Sequence, residues 1–261
     1  HSFPTRRSSD LDLETSVPNV KFLDDTSFIE IATKEQPSEM SSSTEEILDW
    51  SNENDLGINT SKTKELLISF GKEPSAPPLI MKGTEIERVS QTKLLGVIIS
   101  SDLKWDAHIA HINAKASKRL FYIRQLKYAG LTVKDLVRVY KALVRPVCEY
   151  ACPVWSTCLP KCLSDILESI QSRALKIILP HEPYEVALDL LNLQTLLDRC
   201  EQMCSSPFHE ISPSHRLHSL MPEKRSVKRN LRHKTDYELP KWKTKRYKNS
   251  FIPWCIKNCQ V

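Results

Sequence analysis

The chain has 261 residues, 40% of them hydrophobic and 26% charged, and carries a formal net charge of +5. That composition excludes a disordered or fibrous chain and suits one large domain or two modest ones. No apolar run approaches the roughly 20 residues of a membrane helix, and no signal peptide is read. The expectation is therefore an intracellular protein of cytoplasm and nucleus, with no membrane among its partners.

Residues 1–11, HSFPTRRSSDL, resemble the in-frame translation of a sequencing-library adapter. They are set aside as an artefact, with true protein expected from about Asp12 and the reading frame cut on its 5′ side. Val20–Leu23 and Phe28–Ala32 then read as a β-hairpin around Asp24-Asp25. Two adjacent carboxylates cannot both be buried unpaired. Mg²⁺, which binds through one or two carboxylates plus substrate phosphates, would compensate them. Asp-Asp-Thr-Ser is equally ordinary turn chemistry, so both readings stand on these residues.

Ser43-Thr44-Glu45-Glu46 has the form of a capping box and predicts a helix running on to Leu56, stopped by Gly57. A polar loop, Ile58–Lys64, leads into a strand over Glu65–Phe70. Pro74, Pro77 and Pro78 mark a connector. Leu79–Met81 and Glu85–Val89 flank a tight turn, and Leu94–Ser100 reads as one buried strand. From Trp105 the pattern turns helical: Ile109, Ile112, Ala116, Leu120 and Ile123 make one stripe, and Leu131–Val144 follows a break at Gly130. Pro146 ends that helix or starts the next. Leu163, Ile166, Leu167, Ile170, Ala174, Ile177 and Ile178 form a second amphipathic face, with shorter helices at Tyr184–Leu191 and Leu193–Cys204. The fold class is α+β, divided into 12–104, a helical 105–204 and a basic tail, 205–261, expected to be loosely ordered for want of a core.

From His215 onward thirteen Lys and Arg stand against three acidic residues, a surplus of about ten. Tyr237, Trp242, Tyr247, Phe251 and Trp254 interleave with that charge. Lys228, Arg229, Arg232, Lys243, Lys245 and Arg246 are the candidate contacts to a nucleic-acid backbone, with the aromatics suited to stacked bases. A solvated basic tail is the competing reading. The eight cysteines fall in four pairs, Cys148/Cys152, Cys158/Cys162, Cys200/Cys204 and Cys255/Cys259, each spaced i, i+4. A zinc knuckle admits that spacing. Buried thiols are favoured over it because Cys148, Cys152 and Cys162 occupy apolar-face positions.

Taken in order, Phe22-Leu23-Asp24-Asp25, then Trp50, Asn52, Leu56, Asn59, Lys62 and Thr63, then Leu94-Leu95-Gly96-Val97 with Leu103, Trp105, His108 and Ile109, then Arg145–Trp155 and Ile170–Ala174, resemble the reverse transcriptases of non-LTR, jockey-like retrotransposons. The resemblance covers about Val20 to Cys204. It implies the end of a polymerase palm over 12–104 and a thumb over 105–204. The chemistry implied is RNA-directed DNA synthesis, with two metal ions serving the attack of a primer 3′-hydroxyl on an incoming deoxynucleotide. Asp24 and Asp25 would be the metal-binding, catalytic carboxylates for Mg²⁺. Lys62 would stand near the pyrophosphate, with Lys64 as its competitor, and Gly96 would let the backbone approach the primer or take a bulged conformation. The implied partners are an RNA template and a DNA primer, with no obligate protein partner. The family's earlier aspartate strand finds no match before Val20, so the chain is expected to be a fragment inactive alone. A non-catalytic module gripping template–primer or element RNA is the alternative.

Overall fold

A computed structural model describes residues 15–22, 25–33, 38–70, 76–224, 237–238 and 241–259. It contains two units, the first drawn from residues up to Leu94 with Ile99–Leu103, the second from Leu95–Ile98 and the chain from Lys104 on.

In the first unit β1 (Asn19–Phe22) pairs antiparallel with β2 (Asp25–Phe28), in the register Phe22 opposite Asp25 and Asn19 opposite Phe28. The second strand therefore begins at Asp25 and ends where the sequence expects it to begin. The pairing runs out after Phe28, leaving Ile29 and Ile31 exposed. Helix α1 (Met40–Glu53) starts three residues before the Ser43–Glu46 box. Ser43 and Thr44 are buried inside it instead of capping it. Thr44 donates to the Met40 carbonyl, and the Ser43 hydroxyl meets that of Ser16 at 2.8 Å. Glu30 orders the approach to the helix by accepting from the Glu39 N–H and the Ser38 hydroxyl, both at 2.6 Å. At the other end Asp55, at φ 53°, takes the left-handed position, with bonds from Leu56 N–H to Ser51 and from Asp55 N–H to Asn52. This is the Schellman arrangement, closed two residues before Gly57.

Strands β3 (Lys64–Glu65), β4 (Ile80–Met81), β5 (Thr84–Glu85) and β6 (Glu87–Arg88) are each two residues long. β3 pairs parallel with β6, and β4 antiparallel with β5 across Lys82-Gly83. Both turn residues have positive φ, as the type I′ hairpin requires. The strand expected over Glu65–Phe70 stops at Glu65 because only two residues find a partner. β7 (Gln91–Leu94) and β8 (Val97–Ser100) form another hairpin. Leu94–Ser100 is thus a turn with part of two strands, since Leu95 (φ 45°) and Gly96 (φ 88°) reverse the chain.

The second unit is built on α2 (Asp106–Tyr128), whose Ile109, Ile112, Ala116, Leu120 and Ile123 are all buried. A Schellman turn at Gly130 ends it, with bonds from Leu131 to Leu126 and from Gly130 to Lys127. Thr132 caps α3 (Val133–Val139), accepting from the Asp135 N–H and donating to its carboxylate. The helix then widens into a π-helical segment, Tyr140–Val144, and resumes as α4 (Arg145–Glu149). Pro146 has no N–H for the turn before it. The wider turn absorbs that loss, and Arg119 donates to the exposed Leu143 carbonyl.

A short α5 (Cys152–Trp155) follows, then α6 (Lys161–Ile178), which packs along α2. On α6 the buried face comprises Leu163, Leu167, Ile170, Gln171, Ala174, Leu175 and Ile178, while Ile166 is exposed. α7 (Tyr184–Leu190) and α8 (Leu196–His209) complete the bundle. α8 continues through Pro207 well past the expected end at Cys204. After it, α9 (Lys245–Lys248) and α10 (Phe251–Asn258) return to the body of the unit. Ile252, Cys255, Ile256 and Cys259 bury against Cys204 and Phe208, with Tyr237, Phe251 and Trp254 packed around them. The expectation of a coreless tail is corrected here: α10 is apolar enough to cover the end of α8.

The Gly96 turn also sets a stability test. A Cβ at Gly96 would lie 3.0 Å from Tyr150 Cε1, whereas one at Gly130 (φ 85°) would meet nothing within 4 Å. Gly130→Ala should cost about 1 kcal/mol from backbone strain alone. Gly96→Ala should cost about 1–3 kcal/mol, read as the difference in denaturant midpoints.

Candidate functional site

The carboxylate hairpin is held by α1. Glu46 accepts from the Ser16 backbone N–H at 2.8 Å, and the Lys21 ammonium sits 5.4 Å from the centre of the Trp50 ring. Trp50 thus acts through packing on β1. Asp25 is exposed at the first position of β2; Leu23 and Asp24 lie outside the described residues. Among the described residues, no three His, Cys, Asp or Glu side chains converge as a metal site.

The Lys62 turn is organised by Asn59. Its carbonyl accepts from the N–H groups of Lys62 and Thr63 and from the Thr63 hydroxyl, and its side-chain oxygen accepts from Ser61 and from the Lys62 N–H. The Lys62 ammonium is exposed and makes no ion pair among the described residues. Lys64 is committed to Glu87 and to the Ser61 carbonyl. Of these two lysines, Lys62 is the one without an ion pair among the described residues.

Gly96 is occupied within its own unit. Tyr150 donates to the Leu95 carbonyl at 2.7 Å and lays its ring over Gly96. Next to it, His108 is 2% exposed and lies between the indoles of Trp105 and Trp155. Its Nδ1 accepts from the Ile98 N–H at 3.3 Å, and its Nε2 has no partner among the described groups. Burial, with a smaller contribution from His111, lowers its pKa to about 4. The residue is a neutral wedge under the Leu95-Gly96 turn.

The basic segment divides. Lys243, Lys245 and Arg246 are exposed, whereas Lys228, Arg229 and Arg232 lie outside the described residues. Of the interleaved aromatics, Tyr247 is exposed and Trp242 carries the Lys248 ammonium at 5.4 Å. Tyr237, Phe251 and Trp254 are used in packing, so part of the expected stacking surface is core. All eight cysteines are free thiols. Cys148 and Cys152 are buried as expected, and Cys162 is exposed, a correction that follows from its place in the first turn of α6, off the buried face that begins at Leu163. Burial pushes the Cys148 thiol up to about 12; the hydrogen bond to Cys200, then burial, does the same for Cys152.

Two polar groupings were not anticipated. Gln171 accepts from the Tyr140 hydroxyl at 2.5 Å and donates to the Tyr184 hydroxyl and the Gln194 carbonyl, both at 2.9 Å. Tyr184 in turn donates to Glu168, which also accepts from the Leu196 N–H at 3.0 Å. Glu149 is buried and held by Arg199 at 2.9 Å, with Arg145 at 3.4 Å. Gln171 breaks an otherwise apolar face of α6, and that interruption was the available signal.

A protein described as a probable RNA-directed DNA polymerase from transposon X-element, of Drosophila melanogaster, is 25% identical to the chain over 175 residues. The match takes in 64% of the chain, which spans 19% of that protein's length. No family model and no solved structure matches. Over that stretch the chain is similar to part of a transposon RNA-directed DNA polymerase.

Two measurements check the local chemistry. His108 has a lower pKa folded than its unfolded value near 6.5, so its contribution to stability is complete above pH 6.5. It should be lost as pH falls toward 4, because the unfolded chain then binds the extra proton. His108→Gln should flatten the pH dependence of the denaturant midpoint over that interval. With a thiol-reactive disulfide reagent at pH 8, the fast phase should belong to Cys162, and Cys162→Ser should remove it while the buried thiols react only on unfolding.

Proposed function

We propose that the chain is the end of the palm and the thumb of a non-LTR retrotransposon RNA-directed DNA polymerase, working as part of a longer protein. The similarity to the Drosophila polymerase carries this reading. The ordered run of carboxylate hairpin, Asn59–Lys62 turn, Gly96 hairpin and helical bundle supports it. On an RNA template, the 3′-hydroxyl of a DNA primer would displace pyrophosphate from an incoming deoxynucleotide. Mg²⁺ would be held by a carboxylate set that includes Asp24 and Asp25, and that set is completed only in the longer protein. The chain alone would therefore not extend a primer. Lys62 would place its free ammonium by the departing pyrophosphate, where a fixed cation opposes the developing charge. The setting would be cytoplasm and nucleus.

A second reading, a nucleic-acid-binding module without chemistry, is favoured by the exposed Lys243, Lys245 and Arg246. In a longer polymerase containing this chain, Lys62→Ala should lower primer extension by about 10²-fold and Lys64→Ala should change it little. Equal losses would remove the special role of Lys62, and a longer protein with no extension activity would leave the binding module. In the chain itself, Lys243→Glu, Lys245→Glu and Arg246→Glu together should reduce the slope of log affinity against log salt by about 2–3. An unchanged slope would show that these three do not touch the backbone. Charge reversal is preferred to truncation, which would strip α10 from Cys204 and Phe208.

A further inference from the structure

The outer face of α2 has a composition that its packing does not explain. From Asp106 to Tyr128 the helix has one acidic residue, Asp106, in its first turn. The basic side chains divide by role. Arg119 is bound to the Leu143 carbonyl, and Lys127 to the carbonyls of Ile177 and Ile178. Lys115, Lys118 and Arg124 are exposed and pair with no described group. Among them stand three aromatic side chains in solvent: Phe121 at 53% exposure, Tyr122 at 56% and Tyr128 at 87%.

Their spacing makes this one surface. Lys115, Lys118, Tyr122 and Phe121 are separated by three or four residues along neighbouring rows, and Tyr128 lies seven residues beyond Phe121. They oppose the buried stripe from Ile109 to Ile123. The span from Lys115 to Tyr128 is about 20 Å at 1.5 Å per residue. Phe121 and Tyr122 meet edge to face, with ring centroids 5.9 Å apart, so their outward faces are held in fixed relation. Solvent-exposed rings serve neither the core nor solubility. Cations alone would suit any polyanion. Rings among cations suit a flexible polyanion whose flat bases are unpaired, with phosphates on the ammonium groups and bases on the rings.

We infer that the face of α2 formed by Lys115, Lys118, Phe121, Tyr122 and Tyr128 binds single-stranded nucleic acid by combined phosphate contact and base stacking. The inference rests on the nucleic-acid reading above and adds a site outside the carboxylate hairpin and the basic tail. A duplex keeps its bases stacked on one another and offers the rings nothing, so the surface distinguishes the two forms.

The test is fluorescence anisotropy on the full chain, with a labelled oligothymidylate and a blunt DNA duplex of equal length as probes. The variant Phe121→Ala/Tyr122→Ala/Tyr128→Ala should bind the single strand about tenfold or more weakly, with duplex affinity unchanged. Lys115→Gln/Lys118→Gln should lower the single-strand salt slope by about 1.4, two phosphate contacts' worth. Unchanged single-strand affinity in the aromatic variant would overturn the inference, as would an equal loss on the duplex. Displacement of the oligonucleotide by polyglutamate as readily as by unlabelled oligothymidylate would also overturn it, since charge alone would then account for binding. A chain that binds the duplex but no single strand sinks this site and leaves the wider reading intact. A chain that binds neither sinks both. All five side chains are exposed, and matching circular dichroism melts will show that the variants fold.

Discussion

The second unit depends on one apolar contact, the burial of the Ile109–Ile123 stripe of α2 along α6. Burying a side chain of that size contributes about 1.5–3 kcal/mol. Four of the five stripe residues are that large, and α4 and the π-helical segment lie over the same helix. Once α2 is seated, the positions of other groups follow. Arg119 reaches the Leu143 carbonyl, Lys127 reaches the end of α6, and Arg173 on α6 donates to Asn113 and Ser117 at 2.9 and 3.0 Å. These bonds bind the helices in a fixed register, which is what holds the outer face of α2 open to solvent.

Polar groups inside the bundle restrict it further. A buried amide or carboxylate without partners is costly, and Gln171 and Glu149 each meet that demand through side chains from distant positions in the chain. Gln171 ties α6 to Tyr140 and Tyr184; Glu149 ties α4 to Arg199 on α8. An apolar replacement could fill the same space but would let the helices slide. The first unit is organised differently. Among its described residues only Val17, Ile47, Met81 and Ile86 are buried apolar side chains, and hydrogen bonds at Asn59, Glu30 and Glu46 do much of the positioning.

Legibility in the sequence tracked how local the cause was. The α2 stripe could be read residue by residue because it depends on a single period. The α6 face could be read in part: Ile166 and Gln171 exchanged places relative to expectation, since hydrophobicity cannot report a hydrogen-bond partner thirty residues away. Ser43-Thr44-Glu45-Glu46 has the composition of a cap, but Glu30 orders the chain ahead of the helix and moves its start upstream. The Asn59 turn was readable from side-chain chemistry. Of the candidate site, Lys62 proved exposed and without an ion pair among the described residues, Gly96 was engaged by Tyr150, and Asp25 stood at a strand start with Asp24 beyond the described residues.

By itself the sequence determined the α+β succession, the helical character after Trp105, the α2 core stripe and the similarity to a transposon polymerase, because each rests on periodicity or on ordered motifs. Tertiary structure alone decided that Leu94–Ser100 reverses at Leu95-Gly96 beneath Tyr150, that α10 closes over Cys204 and Phe208, and that three of the tail's five interleaved aromatics pack against that core. It also decided that Phe121, Tyr122 and Tyr128 face water. Each of those outcomes depends on which surface a distant segment covers, and hydrophobicity along the chain does not encode that pairing.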